Sequence, residues 1–100
     1  MTPEGKVKAD IKALLNSLAP ECWYFSPVMM GYGRKGIPDL IGCYLGYFFA
    51  IEVKAPGKVH NTTPWQDKEC YAIAQAKGAV LVVDSVEAVQ QMFKMVPRAV

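Results

Sequence analysis

A chain of 100 residues with 52% apolar content and a mean hydropathy of +0.12 is expected to form one domain, residues 1–100, around a modest core. It contains no run near the roughly 18 apolar residues that span a bilayer. The opening Met1-Thr2-Pro3-Glu4-Gly5-Lys6 lacks an apolar secretory core, so a soluble, cytoplasmic protein without an export signal or membrane is expected. A net charge of +2 and a pI near 8.4 do not by themselves point to nucleic acid. Cys22, Cys43 and Cys70 form no CxxC pair and cannot make a conventional structural zinc site with the single His60. They read as reduced, apolar side chains.

Thr2 is a candidate N-cap and Pro3 a candidate first helical residue, followed by Val7, Ile11, Leu14, Leu15 and Leu18 at helical spacing. A first helix is expected over roughly residues 3–18, and Pro20 ends it. Cys22 to Met29 is rich in aromatic and branched residues and reads as a strand, which Pro27 restricts to an edge or a bulge. Within it, Trp23, Tyr24 and Phe25 are expected to serve core or dimer packing rather than base stacking.

Gly31 to Gly36 is a glycine-rich basic loop. Leu40–Leu45 and Tyr47–Lys54 are two strand candidates separated by little more than Gly46, and an antiparallel hairpin is expected. Lys58 to Thr63 is polar loop. Thr63-Pro64 repeats the cap-then-proline pattern, opening a helix to about Lys77, with Gly78 as its left-handed terminator. The apolar run Ala79–Asp84 reads as a strand in the middle of the sheet. Ser85 caps a last helix with Val86, Val89, Gln90 and Phe93 along it, and Pro97 closes the fold; Met92, Met95 and Val96 read as packing. The order is that of an α/β domain whose sheet is flanked by helices, with a parallel, right-handed crossover after the third strand.

Glu52 and Lys54 stand at i and i+2, so on a strand both side chains leave the same face while Val53 turns to the other. Asp39 opens the preceding strand, and the hairpin brings it beside Glu52. Two carboxylates and an amine suit metal-assisted phosphodiester cleavage: a divalent cation offsets phosphate charge and lowers the pKa of water. Mg²⁺ takes one or two carboxylates with waters and phosphate oxygens. Lys54 then orients the water, takes its proton or stabilises charge on the phosphate, three roles the residues do not separate. Each residue also has a plainer reading, Asp39 as a turn former and Glu52 and Lys54 as an exposed strand face. The three together favour a site.

The segments Gly36-Ile37-Pro38-Asp39-Leu40, Glu52-Val53-Lys54-Ala55-Pro56-Gly57 and Thr63-Pro64-Trp65-Gln66, with Glu4 in the first helix, resemble the VRR-NUC branch of the PD-(D/E)XK nucleases, in its stand-alone virus-type form. The resemblance runs from Glu4 to about Val83. It implies a restriction-endonuclease-like αβββαβ core with a mixed central sheet, and a Mg²⁺-dependent endodeoxyribonuclease in which Mn²⁺ substitutes. It also implies a homodimer acting on structured or branched DNA in the manner of a Holliday junction resolvase, with no small-molecule cofactor.

Under that resemblance Asp39, Glu52 and the Val53 carbonyl ligate the metal, and Lys54 is the catalytic lysine. Glu4 lies at the site edge, through a water or a second metal, and Gln66 approaches from its helix. The polar stretch Val59-His60-Asn61-Thr62 is longer than a tight family loop and bears on where Gln66 falls. Glu4 is otherwise explained by the helix macrodipole and Gln66 by a capping box with Thr63. Arg34 and Lys35, on the loop leading into Asp39, are candidate phosphate contacts, as are Lys58 and His60 beyond the catalytic strand. The alternative function is a non-catalytic DNA-binding subunit using the same basic face.

Overall fold

Helix α1 (Pro3–Ser17) starts where the Thr2 Oγ1 accepts a 2.9 Å hydrogen bond from the Gly5 N–H, with proline in the first turn. Its apolar spacing buries Val7, Ile11 and Leu15. The computed structural model describes residues 1–28 and 33–96; Met29 of the expected first strand, Gly31 and Tyr32 of the basic loop, and Pro97 lie outside the described residues. The strands are β1 (Cys22–Phe25), β2 (Leu40–Tyr44), β3 (Tyr47–Val53) and β4 (Ala79–Val83), with α2 (Pro64–Gln75) and α3 (Val86–Lys94) around β4 in the chain. No helix among the described residues is long and apolar enough to cross a membrane.

The sheet order is β1-β2-β3-β4. β1 and β2 are antiparallel, as are β2 and β3, while β3 and β4 run parallel, so the sheet is mixed. β4 is thus an edge strand, not the middle strand its apolar run suggested. Its residues Val80 to Val82 are only half-buried, because nothing among the described residues pairs with its outer side. β2 and β3 hold the centre, and β3 is buried from Phe49 to Val53.

Two local features differ from expectation. The hairpin turn is Leu45-Gly46, with φ of 52° and 88°, the paired left-handed conformation that matches the twist of the flanking strands. Leu45 belongs to the turn rather than to β2; its side chain packs against the core. At the end of α2 the left-handed residue is Lys77, φ 70°, not Gly78. The Lys77 N–H donates to the Ala74 carbonyl and the Gly78 N–H to the Ile73 carbonyl, each at 3.0 Å, which closes a Schellman motif one residue early. Gly78 is required for space: a Cβ there would lie 2.8 Å from Ile73 and Phe48 side-chain atoms. Relieving the left-handed lysine by Lys77→Gly is expected to stabilise the fold by about 1 kcal/mol, read as a higher denaturant midpoint with an unchanged m-value.

The core lies on one face, where α1 and α3 meet Leu40, Tyr44, Phe49, Ile51, Val53 and Val83. Phe93 anchors α3 by stacking on Tyr44 at 4.6 Å between centroids and meeting Phe49 edge-on at 5.3 Å. Val89 and Phe93 are buried, Gln90 and Met95 exposed. Trp23 and Phe25 point outward and only Tyr24 of that trio packs on the core, because alternate residues of an edge strand face solvent. Cys22 is buried, and Cys43 and Cys70 are half-buried.

Candidate active site

Strand register builds the site. Leu40 pairs with Ile51, so the next position outward sets Asp39 beside Glu52 at the open end of the hairpin. The Ser26 hydroxyl donates to the Asp39 main-chain carbonyl at 3.0 Å, tying the exit of β1 to the same end. One Asp39 carboxylate oxygen accepts from the Val53 N–H at 2.8 Å, and the other from the Lys8 ammonium at 3.2 Å.

Glu52 projects on the face opposite Ile51 and Val53, under α2, and is only 4% exposed. Its Oε2 accepts from Gln66 Nε2 at 3.0 Å and lies 3.6 Å from Lys54 Nζ. Gln66 is held from both ends. Its N–H donates to the Thr63 hydroxyl at 3.1 Å and its Oε1 accepts from the Thr63 N–H at 2.9 Å, a complete capping box. The same Oε1 also accepts from Lys54 Nζ at 3.0 Å. The cap that starts α2 therefore fixes the amide that bridges Lys54 and Glu52, and the longer loop before Thr63 does not displace it.

Burial, then the negative charge of Asp39 and a hydrogen bond shared with it, raise the Glu52 carboxyl from an ordinary 4.5 to about 7. Lys54 opposes this, and the charge of Glu4 adds to it. Between pH 4.5 and 7 folded Glu52 keeps a proton that the unfolded chain has released, so Glu52 makes the metal-free fold less stable as pH rises through that window. Thermal melts of metal-free protein are expected to show this loss from pH 5 to 8 in wild type and a smaller loss in Glu52→Gln. Added Mg²⁺ should raise Tm more at pH 8, where no proton competes for the carboxylate. Identical pH profiles for wild type and Glu52→Gln would contradict the assignment.

Two hard-oxygen carboxylates held against each other at a cost in ionisation are what a divalent cation would relieve, so the donor set fits Mg²⁺. Among the described residues no group of three or more His, Cys, Asp or Glu side chains gathers to hold a metal, and the fit rests on the Asp39 and Glu52 pair. Glu4 is exposed in the first turn of α1, within electrostatic reach of Glu52. Val53 ends β3, with its N–H on Asp39.

The structure places the basic candidates differently from one another. Arg34 donates through Nε and Nη2 to Glu69 of α2 at 2.7 and 2.8 Å. Lys35 Nζ lies 5.4 Å from the centroid of the Trp65 ring. Both residues line a 300 Å³ cleft that also contains Asp39, Glu52 and Gln66. Lys58 and His60 are exposed on the loop leaving β3, which the Gly57 N–H anchors to Asp84 at 2.8 Å. Sequence reasoning missed Lys8 and Glu69. Lys8 lies one turn beyond Glu4 on the same helix face, a spacing that could have exposed it. Glu69 is a buried carboxylate in a helix with little apolar patterning, and charge there reads as a solvent face.

A four-stranded mixed sheet with the hairpin site at its open end and helices on both faces is a restriction-endonuclease-like fold. A solved structure described as a VRR_NUC domain superimposes with a TM-score of 0.73 and 27% identity, covering 97% of this chain and 100% of that one. The likeness supports the VRR-NUC family, a nuclease domain family. No family sequence model matches the chain, and no curated protein does.

Proposed function

We propose that this chain is a divalent-metal-dependent DNA endonuclease that hydrolyses phosphodiester bonds, with Mg²⁺ as its ion and Mn²⁺ as a substitute. The observation that carries the reading is the pairing of Asp39 with buried Glu52, whose ionisation is suppressed while Lys54 and Gln66 are bonded beside it. Asp39, Glu52 and the Val53 carbonyl would hold the metal, with Glu4 contributing from the edge through a water or a second ion. The metal supplies Lewis acidity toward the phosphate and a water acidic enough to lose its proton near neutral pH.

The remaining chemistry belongs to the chain. Gln66 holds Lys54 Nζ in place, and an ammonium has three N–H groups. One donates to Gln66, the Glu52 carboxylate lies 3.6 Å away as an ion-pair partner, and a remaining N–H is directed to a phosphate oxygen or the attacking water. Lys8 sets the Asp39 carboxylate. Arg34, Lys35, Lys58 and His60 are assigned to the DNA backbone around the cleft.

The substrate we assign is structured or branched DNA, including four-way junctions, following the family resemblance. Duplex, nicked, flap and junction DNA incubated with Mg²⁺ and with chelator should give metal-dependent products, most readily from branched forms. Binding without such products would instead favour the non-catalytic DNA-binding subunit.

A homodimer accompanies this reading. A 520 Å³ apolar groove beside the open β4 edge, walled by Tyr47, Phe48, Val80, Met92 and Met95, is the surface we assign to a second copy. An edge strand can pair with its own copy about a two-fold axis. Met95 is exposed, so Met95→Glu should leave the fold intact and shift sedimentation from dimer to monomer. A wild-type monomer at high concentration would contradict it.

A further inference from the structure

Trp65 is an exposed tryptophan one residue from the site amide Gln66, on a helix whose buried position is taken by Glu69. The residue is 52% exposed. Trp65, Lys68 and Glu69 fall at i, i+3 and i+4, on one side of α2. The Gly36 backbone is pressed against the backbone of Trp65, which brings the basic loop over this first turn. Lys35 then reaches over the indole, and Arg34 is fixed by Glu69. Pairing through Nε and Nη2 turns Nη1 away from that carboxylate, and the Arg34 side chain stays 74% exposed. These five residues line an open hollow of 140 Å³. It shares Arg34 and Lys35 with the cleft that contains Asp39 and Glu52.

We propose that this hollow is a subsite for an unpaired nucleotide next to the phosphate being cleaved, with its base stacked on Trp65 and its phosphate on Lys35, Lys68 and Arg34. The proposal rests on the nuclease reading above and deepens it by naming what distinguishes one DNA from another. An aromatic face accepts any base, but only a base freed from its duplex partner offers its own face. Three cations around that ring match the phosphate attached to such a base. Continuous duplex leaves the ring bare, whereas a flap, gap or junction provides a base to cover it. Glu69 acts as a positioning residue, holding Arg34 in one orientation before DNA arrives.

The test uses Trp65→Ala and Trp65→Phe, with emission measured in a Trp23→Phe background so that Trp65 alone reports. A short oligothymidylate should quench that emission and a blunt duplex of equal length should not. The ratio of kcat/KM for a flap over continuous duplex should fall about tenfold in Trp65→Ala and be largely retained in Trp65→Phe. Equal losses on both substrates, or emission unmoved by the oligonucleotide, would overturn the subsite. Failure of every DNA to be cleaved with metal would overturn the nuclease reading alone, and the quenching, which needs no metal, would still decide the subsite.

Discussion

Asp39→Asn and Glu52→Gln are each expected to lower metal-dependent cleavage by at least roughly 10²–10³-fold, and Lys54→Met by about 10²–10⁴-fold. The substitutions are close in volume to the side chains they replace, so packing under α2 should be retained. The Glu52 change has a second consequence that separates chemistry from folding. Its carboxyl ionises only near pH 7 because burial and Asp39 disfavour the charge, so a neutral amide should make the metal-free protein more stable above that pH. Lost activity accompanied by gained stability is the pattern of a site residue held at the expense of the fold. Cleavage that survives in folded Asp39→Asn and Glu52→Gln would remove the basis of the assignment.

Gly36→Ala is expected to be the most damaging small substitution near the site. Gly36 has φ of +81°, and a Cβ there would stand 2.3 Å from the Trp65 carbonyl carbon and oxygen and 2.6 Å from the Gln66 nitrogen. Those are backbone atoms, so no side-chain rotation relieves the clash. Left-handed strain of about 1–2 kcal/mol adds to overpacking of about 1–3 kcal/mol. The atoms displaced include the N–H that completes the capping box, so Gln66, and with it Lys54, should shift. Denaturant melts should show the destabilisation, and cleavage measured well below the melting transition should fall further than the unfolded fraction explains. A variant with wild-type midpoint and activity would show that the loop does not need this close approach.

Much of this site was legible because its positions follow strand arithmetic. Alternation puts Glu52 and Lys54 on one face, and a hairpin must return Glu52 to the level of Asp39. The capping box was equally local, a threonine followed three residues later by a glutamine, and only its second use as a bridge needed the fold. Illegible were the contacts made across elements. Lys8 reaches Asp39 from α1, and Arg34 reaches Glu69 from a loop, pairings for which charge alone offers many equivalent partners. The position of β4 failed for a different reason. An apolar run signals burial without saying what supplies it, and the outer side of this strand borders an open apolar groove.

The claim that Asp39 and Glu52 hold the catalytic ion is tested most directly by calorimetric titration of the protein with Mn²⁺ at pH 7, in buffers of different ionisation enthalpy. Wild type should bind the ion and release a fraction of a proton, because Glu52 is part-protonated there. Glu52→Gln and Asp39→Asn should each lose most of that affinity, and the proton should vanish with Glu52. Undiminished binding in both variants would contradict the account.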